Sequence, residues 1–163
     1  MKTLLIPTDF KLESLNSIPE LVERFYPNKI NIVLVHMMQI TDCIQELLML
    51  SRRSTEYQHI SQEFYDACTS LKQEHEGVVS NIRIDFFYGS TVAVFKNFLE
   101  ANDVDAIVLL NNYDYKLLNK NSLEPSLLVN RSGKEVIYTD WKPRSKSQSY
   151  ELTASLSEQK VLS

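Results

Sequence analysis

A chain of 163 residues, 44% hydrophobic and 23% charged, has the balance of an ordinary globular protein of one domain, and at that size folding buries about 70% of the unfolded surface. Its net charge of −4 offers no basic footprint for nucleic acid or for an anionic membrane. The longest apolar run, Ala106 to Leu110, is far too short to span a bilayer, and no basic start leads into a long apolar stretch, so a cytoplasmic protein is expected.

Leu4 to Ile6 is an unbroken apolar run, the pattern of a strand covered on both faces. Pro7 has no amide hydrogen to give to a ladder, so the strand should end there. That leaves Asp9 just beyond its carboxyl end, where open α/β sheets place their ligands. Leu12, Leu15, Ile18, Val22 and Phe25 then recur at helical spacing and predict a helix over 12–26, ended by Pro27-Asn28. Pro19 interrupts the pattern: it either kinks this helix or marks a late start capped by Ser17.

Ile30 to Met38 reads as a second buried strand, rich in β-branched residues. Ile44, Leu47 and Leu48 begin a helical region that Tyr57, Ile60, Phe64, Cys68, Leu71 and His75 continue, with a break at Arg52-Arg53-Ser54 and a stop at Gly77. Asn81 to Tyr88 reads as a third strand. Gly89 ends it, and Ser90 or Thr91 can cap a helix carrying Val94, Phe95, Phe98 and Leu99. Val104 to Leu110 is the most apolar strand and closes at Asn111-Asn112. Leu117-Leu118 and Leu127-Leu128-Val129 suggest a fourth helix, broken or delayed by Pro125. Glu135 to Trp141 is a fifth strand, whose mixed character suits an edge. From Lys142 onward, basic residues alternate with prolines and serines, so 1–141 is expected to be one domain and 142–163 a tail.

This alternation calls for a parallel sheet with helices on both faces. Four of its tracts carry a resemblance. Leu5-Ile6-Pro7-Thr8-Asp9-Phe10 resembles the opening of the universal stress proteins, and Val33-Leu34-Val35-His36-Met37 resembles their second strand. Tyr88-Gly89 and Val104-Asp105-Ala106-Ile107-Val108 follow in family order, so the similarity covers residues 2 to 141. It implies a three-layer α/β/α, Rossmann-like fold of the adenine nucleotide alpha hydrolase-like type. The sheet would have five parallel strands in the order 3-2-1-4-5, with a crevice between Asp9 and Asn111-Asn112.

ATP-binding members of that family carry a G-x2-G-x9-G-[ST] tract after strand four, whose glycines bring amide hydrogens close to phosphate oxygens. This chain has no glycine between Asn111 and Ser132. Leu110 and Tyr113 fall at the first two glycine positions and would crowd a triphosphate, and Asn121-Ser122 is the nearest stand-in for the last Gly-Ser. The expectation is a non-catalytic stress-response binding or regulatory module that takes no ATP and needs no cofactor. The alternative is a nucleotide (ATP or AMP) switch using a degenerate crevice of Pro7, Thr8, Asp9, Met37, Asn111, Asn121 and Ser122. In the binding relatives the residue matching Asp9 holds the adenosine moiety, and the one matching Met37 lies against the adenine. Otherwise Asp9 caps or braces the first helix. Lys11 replaces the family's usual serine.

The remaining chemistry-bearing residues have plain readings. His36 ends a buried strand as a hydrogen-bonded packing residue, and Cys68 is a small core residue, while Cys43 and Cys68 form no C-x-x-C pair. His59 and His75 are too far apart on one helix to share a metal. A receiver domain would need an Asp ending strand three and a Lys ending strand five, and a hydrolase would need a nucleophile elbow; both are missing, as is the His-rich signature of a nucleotidyl transferase. Strand five offers an unpaired edge, so a homodimer through Glu135 to Trp141 is expected, with Trp141 at its rim.

Overall fold

The computed structural model describes residues 1–39, 60–111, 113–117 and 122–140. Five strands form one parallel sheet: β1 (Lys2–Pro7), β2 (Ile30–Met38), β3 (Val79–Tyr88), β4 (Ala106–Asn111) and β5 (Glu135–Asp140). Their order is β3-β2-β1-β4-β5, so the winding reverses between β1 and β4. The described helices are α1 (Ser17–Phe25), α2 (Gln62–Glu74), α3 (Val92–Ala101) and the short α4 (Ser126–Asn130).

The alternation of side chains along each strand divides the core in two. Leu4, Ile6, Ile32, Leu34, Val108 and Ile137 face α1 and α2, where they meet Ile18, Leu21, Phe64 and Cys68. Leu5, Val33, Val35, Ile107 and Leu109 face the other way and meet Phe95, Leu99, Leu128 and Val129 from α3 and α4. Phe64 and Phe95 are fully buried, one in each layer, and each contributes about 1.5–3 kcal/mol through apolar burial.

Local chemistry accounts for most element ends. Ser61 and Thr91 cap α2 and α3, their hydroxyls accepting from Phe64 N and Val94 N. Gly89 has no room for a side chain, since a Cβ there would lie 2.8 Å from both the Phe87 ring and a Val94 methyl. Pro19 acts through a late start. A 3-10 turn over Leu12–Leu15 precedes α1, so the proline sits in the first helical turn, where no amide donor is required. The cap position is Asn16 rather than Ser17, and it makes no side-chain cap bond, while the Ser17 hydroxyl is buried with no partner among the described residues.

Three boundaries move. β3 starts at Val79, two residues early, because Ile30 N already bonds to Val78 O beside it. β4 begins at Ala106, because Asp105 turns its carboxylate onto Thr3 N. The fourth helix shrinks to Ser126–Asn130 after Pro125, and Leu117 lies half exposed outside any helix. Val94, expected on a buried stripe, is instead exposed. Cys43, His59, Asn112, Asn121, Trp141 and the 142–163 segment fall outside the described residues.

Candidate functional site

The reversal point at the carboxyl end of the sheet is where a ligand crevice belongs in this topology. β1 pairs with β2 over six residues, but with β4 over only two, Leu4 with Ala106 and Leu5 with Ile107. Past Leu5 the two strands lose their ladder, and the chain that follows β4 comes back over the gap.

Asp9 stands at the centre of this gap and is buried. Its carboxylate accepts three hydrogen bonds from the protein itself. Oδ1 accepts from Lys11 N at 3.1 Å, which closes a turn ahead of the 3-10 segment. Oδ2 accepts from the Tyr113 hydroxyl at 2.7 Å and from Lys116 N at 2.9 Å. The first bond agrees with a bracing role beside the first helix, although it forms before the helix rather than capping it. The other two were not visible in the sequence. They tie β1 to the loop after β4, across more than a hundred residues.

Tyr113 thus places a phenol directly on the Asp9 carboxylate. Burial, and then the adjacent Asp9 carboxylate, push the Tyr113 hydroxyl far above the usual phenol range, so it stays a proton donor throughout the accessible pH range. Its ring packs edge-on against Tyr115 with centroids 4.9 Å apart. The Tyr115 hydroxyl oxygen in turn accepts from Leu110 N at 3.4 Å.

A second clasp closes the β2 side. His36 is buried, with Nδ1 2.8 Å from Thr8 O and Nε2 2.8 Å from Ser122 Oγ. A carbonyl oxygen only accepts, so Nδ1 carries the proton, and Nε2 meets the Ser122 hydroxyl. His36 is thus the hydrogen-bonded packing residue that its position suggested. A hydroxyl facing an oriented imidazole is also the geometry of an activated nucleophile. Here, however, both residues are buried under the short antiparallel bridge that Ser122 makes with Met38.

The next residue extends the closure: Leu123 N donates to Met37 O at 2.8 Å, and Met37 is itself buried. Thr8 is equally occupied. Its hydroxyl lies 2.7 Å from Ser14 Oγ and accepts from Phe10 N at 3.0 Å, and its amide donates to Val35 O at 2.9 Å. Phe10 bends back with φ of 65°, a left-handed angle unusual for an aromatic residue. The turn is held because its ring packs against His36, Phe64 and Phe86. Pro7 closes the β1 ladder opposite Val35, and Asn111 reaches away from the gap to Asp140 Oδ1 at 3.3 Å.

Of the residues singled out in the sequence, Thr8, Asp9, Met37 and Ser122 are brought together around the crevice, and each is bonded within the chain. In the sequence Tyr113 stands out only by its bulk, and neither Lys116 nor Leu123 stands out at all. Among the described residues no group of His, Cys, Asp and Glu could hold a metal ion, and no helix is long and apolar enough to cross a membrane.

No protein-family model matches the chain, and no curated protein matches it in sequence. Solved structures do match. The universal stress protein UspA from Lactobacillus plantarum is 16% identical, with 84% of this chain and 96% of that chain covered at a TM-score of 0.52. The hypothetical protein PH0823 is 18% identical over 85% of this chain and 95% of its own, at a TM-score of 0.50. The hypothetical protein MJ0577 is 18% identical over 86% and 96%, also at 0.50. With the same strand order and parallel sense throughout, the chain has the fold of the universal stress proteins.

Proposed function

We propose that this chain is a non-catalytic binding or regulatory module of the universal stress type, acting in the cytoplasm, whose nucleotide crevice is closed by its own residues. The observation that carries this reading is the burial of Asp9 together with its bonds from Tyr113, Lys116 and Lys11. An adenosine hydroxyl could reach that buried carboxylate only by opening the cluster around it, and a triphosphate would meet side chains where glycine amides are needed. The buried Met37 and its engaged carbonyl close the adenine side in the same way. Mass spectrometry of the denatured purified protein tests this directly. A protein free of stoichiometric adenine nucleotide is expected, and recovery of one nucleotide per chain would restore the nucleotide-switch reading.

The module's partner surface, on the same reading, is the edge of β5, which among the described strands pairs with β4 alone and leaves Tyr138 about half exposed. A two-fold axis across this strand would let two copies complete each other's ladder. Light scattering at tens of micromolar should return twice the 18.9 kDa chain mass, and Ile137→Pro should halve it by removing a ladder donor. A monomeric mass for the unaltered chain would refute the dimer.

A further inference from the structure

We draw no further inference here: the strongest candidate, the apolar groove between α2 and β3 lined by Tyr65, Cys68, Ile82 and Ile84, carries nothing because no feature among the described residues shows what covers it.

Discussion

Tyr113→Phe isolates the bond on which the closed crevice depends. The substitution removes one hydroxyl and keeps the ring, so the edge-on contact with Tyr115 survives while Asp9 Oδ2 loses its 2.7 Å donor. A hydrogen bond to a charged acceptor is worth about 1.5–3 kcal/mol net. The lower end applies, because Tyr113 is only half-buried and Asp9 keeps the amides of Lys116 and Lys11. Urea unfolding followed by circular dichroism should therefore show a loss of about 1.5 kcal/mol with an unchanged slope. Thermal unfolding should fall by about 3–6 °C for a chain of this length. Tyr26→Phe, at a residue 63% exposed, serves as the control and should shift stability by no more than about 0.5 kcal/mol. In a double-mutant cycle, Asp9→Asn should couple to Tyr113→Phe by about 1 kcal/mol. A Tyr113→Phe protein as stable as that control, or a coupling near zero, would refute the clasp.

Two further outcomes follow from packing and titration. Phe95→Ala empties the centre of the α3 layer, where the ring is fully buried 5.2 Å from Phe87, and should cost about 3–5 kcal/mol in the same urea assay. Alkaline pH should destabilise the fold. Burial raises Cys68 from 9.0 to about 11, and burial is also the main cause that raises Tyr115 from 10.0 to about 12, so in both cases the unfolded chain gives up its proton first. The contribution of these two groups is constant below pH 9 and is lost between pH 9 and 12; a stability rising through that range would contradict the burial of both groups.

Much of the fold was legible because the sheet imposes a pattern on sequence. β2 needs nine residues that tolerate helices on both faces, and Ile30–Met38 supplies them with the predicted ends. β5 announced its edge position through Tyr138 and Asp140, which are exposed, alternating with Ile137 and Thr139, which are buried. α1 was harder, because a 3-10 turn keeps an approximate helical spacing of Leu12 and Leu15 while delaying the helix proper to Ser17. The crevice was half legible. Asp9 lies just past β1 and His36 on β2, positions that can be counted from the strands, but their partners Tyr113 and Ser122 sit in a loop without periodicity, 104 and 86 residues away. Nothing in a single sequence links such pairs, since one side-chain hydrogen bond leaves no repeat to read.

Calorimetric titration of the unaltered full chain with ATP bears most directly on the closed crevice. With Asp9, His36 and Met37 engaged by Tyr113, Ser122 and Leu123, no saturable heat is expected up to millimolar nucleotide. A dissociation constant in the micromolar range, weakened by Asp9→Ala, would mean that these clasps open to admit the nucleotide and would contradict the account.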